Sequence, residues 1–281
     1  MIKQGRMKRG KNIEQKDLIQ FAQREFGLDD DGVIGRDTIG YANQLPELIQ
    51  AIGRRWSAER KLVGFVQHKA LSLGIDAGKI DGYLGEQTRY AFELLLHFKK
   101  YGSLPTTWRD EDNDWGDNNL PDRTANPNNF PTYKLLDKVY GKSGSNLVTV
   151  PIPYPLKLAW NPSKIVTRLT CHKMVSSSLL GVLEGMKDHY SFSGLSDLGL
   201  DLYGGVYNKR KMRGGSKLST HAWGVAIDLD PDHNQLKWDH TRARFAKSEY
   251  QFMRNAFGEE GWVSLGESKD YDWMHFQAVR I

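Results

Sequence analysis

The sequence predicts two domains. One is an all-α bundle of helical repeats over residues 1–100. The other is an α+β domain over residues 132–281 with helices on one side of a small antiparallel sheet, joined to the first by a linker at 101–131. Three observations carry this reading. An internal repeat fills the first hundred residues, a stretch rich in proline, asparagine and acids follows it, and beyond that stretch helical and alternating apolar periods mix. A length of 281 residues also suits two domains better than one or three.

The repeat is read from aligned residue types. Its first copy starts at Leu18 and its second at Val63; Phe21 and Gln23 match Phe65 and Gln67. Asp31-Gly32, Gly35 and Thr38 match Asp81-Gly82, Gly85 and Thr88, with six more residues between the halves of the second copy. Each copy reads as an amphipathic helix, a D-G-x-x-G turn and a second helix. Leu18, Phe21, Ala22 and Phe26 share one helical face, as do Ala91, Leu94, Leu95 and Phe98. In the turn, Asp accepts local backbone N–H bonds and Gly takes the positive φ that other residues resist. Thr38 and Thr88 are expected to open the following helices as polar starters. Two such hairpins can bury their apolar faces against each other.

Residues 101–131 hold four prolines, six asparagines and six acids, a composition that cannot bury enough apolar surface to fold alone. Trp108, Trp115 and Phe130 nevertheless suggest that parts of the stretch pack against a neighbour. In the domain that follows, helices are expected at Met174–Tyr190 and Arg242–Phe257. Strands are expected at Gly224–Asp230, Gly261–Leu265 and Trp273–Val279.

Composition excludes several classes. Hydrophobic residues at 39% provide enough apolar material for cores, which rules out a wholly disordered chain. No stretch approaches the roughly 20 apolar residues of a membrane span. The single cysteine, Cys171, excludes an internal disulfide and a Cys-rich zinc knuckle, and suits a reducing cytosol. The basic start lacks the apolar core of a secretory signal. Its five cations (Lys3, Arg6, Lys8, Arg9, Lys11) and the net charge of +5 favour anionic partners such as envelope polymers. No interleaved stacking aromatics mark an organised nucleic-acid reader.

Chemistry concentrates in two segments, Ser219 to Asp228 (STHAWGVAID) and Asp272 to Phe276 (DWMHF). Two histidines and a carboxylate form a common catalytic zinc set that leaves the fourth position to water. In the strand GVAIDLD, Asp228 shares a face with Gly224, Ala226 and Asp230, while Val225, Ile227 and Leu229 point into a core. His221 precedes the strand and needs a turn, which Gly224 permits, to swing back over that face. His275 lies in the last strand, and Asp272 on the turn entering it, near a metal at His221, Asp228 and His275 without being forced to ligate it. Zn²⁺ held there would acidify water and polarise a peptide carbonyl. Asp272 is the candidate general base. Arg213 is the first candidate for steadying substrate charge and Arg210 the second.

Other chemistries lack their patterns: there is no H-E-x-x-H, no G-x-S-x-G and no spacing that singles out a pair of facing carboxylates. Cys171 and His172 are adjacent and so poorly placed to face each other as nucleophile and base. His233 and His240 could serve as spare ligands, though the expectation is that they are exposed.

Two resemblances follow from these motifs. The repeat, over roughly residues 14–100, resembles the peptidoglycan-binding module that accompanies many cell-wall hydrolases, with its Q-x-x-L/F…D-G-x-F/I-G-x-x-T pattern. This implies wall targeting, with glycan in the groove between the copies. The S-x-H-x-x-G-x-A-x-D segment with the late D-x-x-H-F is similar to the zinc peptidases that include D-Ala-D-Ala carboxypeptidases, D,D-dipeptidases and phage L-alanyl-D-glutamate endopeptidases. That likeness is close over 200–281 and looser over 132–200. It implies His221, Asp228 and His275 as zinc ligands, Asp272 as general base, and Ser219 as a residue ordering substrate or site. Many members carry Glu at the base position, and the shorter Asp272 fits the endopeptidase branch.

Together these imply a phage endolysin, expected to be monomeric and made in the host cytosol. It would act on peptidoglycan after release, with L-Ala–D-Glu as the favoured bond. The D,D-carboxypeptidase or D,D-endopeptidase reading stands beside it. So does a non-catalytic wall-binding virion protein whose zinc is architectural; such a site wants four protein ligands, whereas the sequence offers three and a separate acid.

Overall fold

The computed structural model describes residues 13–105, 107–109 and 130–281. The basic run at 3–11 and Trp115 lie outside the described residues. The chain divides into two compact units, Met1–Thr106 and Thr107–Ile281.

In the first unit the described elements are four helices: α1 (Gln15–Glu25), α2 (Arg36–Leu48), α3 (Ala58–Ser72) and α4 (Glu86–Tyr101). Leu18 and Phe21 of α1 meet Val63 and Val66 of α3 and Phe92 and Leu95 of α4 in one core. Ala42 and Leu45 of α2 join Ile19 and Leu62 in a second. The repeated polar residues form the same buried knot twice. Gln23 Nε2 donates to Asp31 Oδ1 (2.9 Å) and Thr38 Oγ1 (3.2 Å), and its Oε1 accepts from Gly32 N (2.8 Å). Gln67 does the same with Asp81 (2.9 Å), Thr88 (3.0 Å) and Gly82 N (2.9 Å). Gly32 and Gly82 take φ of 74° and 71°. The threonines are not helix starters. Gly35 and Gly85 occupy the caps, and Thr38 and Thr88 are buried one turn inside, where the glutamine amides claim their hydroxyls.

The second unit is a six-stranded sheet with helices. Its elements are α5 (Leu136–Val139), β1 (Leu147–Leu158), β2 (Asn161–His172), α6 (Ser176–Asp197), β3 (Leu202–Gly205), β4 (Ala226–Leu229), α7 (Gln251–Glu259), β5 (Val263–Ser264), α8 (Leu265–Lys269) and β6 (His275–Gln277). The strand order is β2-β1-β3-β4-β6-β5. The sheet is mixed, not antiparallel as the sequence led us to expect, because β3 pairs with β1 in parallel through Lys157↔Leu202. A hairpin forces an antiparallel neighbour, but α6 intervenes before β3, and a connection of that length lets a strand enter in either sense. The main core gathers Leu179, Leu183 and Met186 of α6, Met253 and Phe257 of α7, and Val225, Ile227, Leu229 and Phe276 from the sheet.

Other boundaries also move. The helix expected at Arg242–Phe257 is two 3-10 turns followed by α7, because Lys247 is extended (φ −72°, ψ 159°) between Arg244–Ala246 and Ser248–Tyr250. The long hairpin β1–β2 was not anticipated. Phe130 is buried in the second unit's core and meets Trp262 edge-on at 6.1 Å, and Arg109 is bonded to Gly214; both lie in the stretch read as linker.

Candidate metal centre

The centre is built on the pairing of β4 with β6. Asp228 lies directly opposite His275, so the two side chains share a sheet face, while the next pair, Ile227 and Phe276, faces the core. His221 arrives from a 3-10 turn, Thr220–Trp223, that Gly224 ends in the left-handed region (φ 70°, ψ 30°). A Cβ on Gly224 would lie 2.8 Å from Leu147 Cδ2 and 3.0 Å from His172 N, so both the conformation and the close packing require glycine. Ser219 caps this turn, its Oγ accepting from His221 N at 3.4 Å.

Three donor atoms converge. His221 Nε2 is 3.1 Å from Asp228 Oδ1 and 3.2 Å from His275 Nδ1, and His275 Nδ1 is 2.9 Å from Asp228 Oδ1. The other ring nitrogens are already committed. His221 Nδ1 donates to Val206 O (2.7 Å), and His275 Nε2 faces Gln277 Oε1 (3.1 Å), whose amide is oriented by its own bond to Val279 O (3.0 Å). Both imidazoles therefore turn a lone pair toward the same carboxylate oxygen. Three electron-rich atoms so close together call for a positive charge among them. Bonds of about 2.0–2.1 Å in a tetrahedral zinc site set donor atoms about 3.3 Å apart, close to the spacing observed.

Electrostatics agree with this donor set. Burial holds His221 below the ordinary histidine range despite Asp228 beside it, which keeps the ring neutral. Burial alone would raise Asp228, but the charge and hydrogen bonds that His221 and His275 offer when protonated hold it well below the usual carboxylate range, a part that a bound cation would take over. Neutral imidazole and ionised carboxylate are the forms a metal takes. Among the described residues no fourth His, Cys, Asp or Glu joins the group.

A small cleft beside the centre is lined by Arg109, Arg210, Ser219, Thr220, Asp272 and His275. Asp272 has φ 56°, its N–H donating to Leu236 O (3.0 Å), on the turn that leads into β6. Arg210 faces the cleft, whereas Arg213 turns to the Asp228 carboxylate, its Nη2 lying 3.4 Å from Oδ2. Burial, and Arg213 nearby, push Arg210 down to about 9. Asp230, expected on the face of Asp228, instead pairs with His233 (2.7 Å) and Arg244 (3.1 Å), because the strand ends there and the backbone turns left-handed (φ 42°). His240 pairs with Asp270 (2.8 Å), and neither His233 nor His240 reaches the centre. Cys171 is buried, and burial pushes its thiol up to about 11, the reverse of an activated nucleophile.

Sequence reasoning missed Thr220, Gln277 and Arg109. Gln277 had a signal, since it lies two residues after His275 on one strand and so shares its face. Arg109 had none, being 163 positions from its partner Asp272.

No curated protein and no solved structure matches the chain. Residues 213–278, the span holding His221, Asp228, Asp272 and His275, match the family model described as D-alanyl-D-alanine carboxypeptidase, a zinc peptidase family acting on peptidoglycan.

Proposed function

We propose that the chain is a zinc-dependent peptidoglycan hydrolase of the endolysin kind, cleaving an amide of the stem peptide. The observation that carries this reading is the triangle of His221 Nε2, Asp228 Oδ1 and His275 Nδ1, with edges of 2.9–3.2 Å, inside the family-matched span. His221, Asp228 and His275 would hold the ion. Zinc bound there supplies a Lewis acid that polarises the scissile carbonyl and brings water toward a pKa near ~7.

The chain's own groups do the rest. Asp272 takes a proton from the attacking water and hands it to the leaving nitrogen. The C–N bond breaks, the acyl side leaves as a carboxylate and the other side as an amine. Arg210 on the cleft pairs with a carboxylate of the acidic stem peptide. Arg213 steadies Asp228, and Ser219 fixes the turn that presents His221. Three protein donors favour catalysis over an architectural zinc, which wants four.

The favoured bond is L-Ala–D-Glu. Cleavage of a D-Ala-D-Ala bond is the second reading, favoured by the description of the matching family. In the proposed biology the helical repeats bind the wall and the basic residues 3–11 meet the anionic envelope. The monomeric enzyme waits in the host cytosol until the membrane is opened.

Mass spectrometry of purified walls digested with and without a zinc chelator tests this. New N-terminal D-Glu, abolished by the chelator and restored by zinc, is expected. New C-terminal D-Ala would select the second reading. Cleavage that survives complete zinc removal would refute both.

A further inference from the structure

We infer that Arg109, from the stretch between the repeats and the sheet domain, is a positioning residue of the hydrolytic site. The inference rests on the reading of Asp272 as the proton-transferring group. Arg109 Nη2 is 2.9 Å from Asp272 Oδ2, and both side chains are buried, at 6% and 3% exposure. The same residue is anchored by its backbone, whose N–H donates to Gly214 O at 2.8 Å. Its guanidinium lies 5.1 Å over the Tyr271 ring.

Trp108 supplies a second anchor. It meets Tyr271 edge-on at 5.5 Å and covers Gly214, where a Cβ would lie 2.5 Å from Trp108 Nε1. A short piece of chain is thus fixed to both loops that carry the cleft, 213–214 and 271–272. What it fixes has a direction. Arg109 engages Asp272 Oδ2, while Asp272 Oδ1 is buried with no hydrogen-bond partner among the described residues. One carboxylate oxygen is held and the other keeps its lone pairs unclaimed, able to accept a proton. Asp272 is a short side chain on left-handed backbone, so the guanidinium nitrogen on Oδ2 sets where Oδ1 points. The machinery of hydrolysis therefore reaches back to Trp108 and Arg109, outside the family-matched span.

The test compares full-length wild type with Arg109→Gln, Arg109→Ala and Arg109→Lys on soluble muropeptides, with zinc content and Tm measured alongside. Misplacing a reacting group by about 1 Å costs about 10²-fold, so kcat of the Gln and Ala variants should fall by about that factor. KM should change little and zinc should remain bound. Lysine should recover part of the loss, and added methylguanidinium should recover part in the alanine variant, which a merely structural role would not allow. A kcat unchanged in the zinc-loaded Gln variant would overturn the inference and leave the proposed function standing. A raised kcat would also overturn it, marking Arg109 as a plug instead. A wild-type chain without zinc-dependent cleavage would overturn both.

Discussion

Replacing Asp272 by asparagine separates proton transfer from metal binding. Asparagine keeps the shape and an acceptor for Arg109, and it tolerates the left-handed backbone at φ 56°. Alanine would add a backbone penalty of about 1–2 kcal/mol there and take from the buried guanidinium its carboxylate partner, a loss of about 3–5 kcal/mol. Asparagine avoids most of both, so a change in rate can be assigned to the lost base. General base catalysis contributes about 10²–10⁴-fold, which is about 2.7–5.4 kcal/mol of barrier. Asp272 is absent from the cluster of donor atoms, so the variant should bind zinc as wild type does. Initial rates on soluble muropeptides, with zinc measured on the same samples, should show kcat down by that factor and full metal content. Loss of the metal would make Asp272 a ligand, and a rate within about threefold of wild type would place the base elsewhere.

Further outcomes are expected. Gln277→Leu removes the nearer of two acceptors at His275 Nε2, leaving the Thr220 hydroxyl, and should weaken zinc binding about 10–100-fold in competition with a chelator, the usual effect of losing an outer partner of a ligand histidine. Gly224→Ala combines about 1–2 kcal/mol for the left-handed conformation with about 1–3 kcal/mol for overlap at Leu147 and His172. It should lower the Tm of the second unit by several degrees in a calorimetric scan. Gln67→Ala strips the acceptor from the buried N–H of Gly82, at about 1–3 kcal/mol, and from the half-buried N–H of Asp81, and should shift the first unit's denaturant midpoint downward. Cys171, pushed up from 9.0 to about 11 by burial, should resist alkylation at pH 8 until the chain unfolds. Because the folded pKa is the higher one, its contribution to stability is complete below pH 9 and fades as the pH rises toward 11.

The parts legible in the sequence are those whose physics is local. The Gln–Asp–Gly–Thr knot lies within 15 residues in the first copy, from Gln23 to Thr38, so its repetition shows the pattern directly. The cluster of His221, Asp228 and His275 was legible for a related reason. Asp228 and His275 fall on alternating strands whose apolar neighbours Ile227 and Phe276 mark the core face, leaving the opposite face for chemistry. The hairpin β1–β2 escaped because most of its residues are exposed or half-buried, and Pro151, Pro153 and Pro155 interrupt β1, so the usual alternation is blurred. The parallel pairing of β3 with β1 is set by the crossover and not by either strand. Arg210 and Arg213 share one short run, and only the fold decides which faces the cleft and which the Asp228 carboxylate. Arg109 depends on a contact with Asp272 that no sequence period encodes.

The central claim is a single zinc ion held by three side chains with its remaining position open. Anomalous diffraction at the zinc edge from crystals of the zinc-loaded chain tests it most directly. One peak within bonding distance of His221 Nε2, His275 Nδ1 and the Asp228 carboxylate, with no fourth protein ligand, is the predicted result. A peak elsewhere, or a fourth side chain closing the coordination sphere, would contradict it.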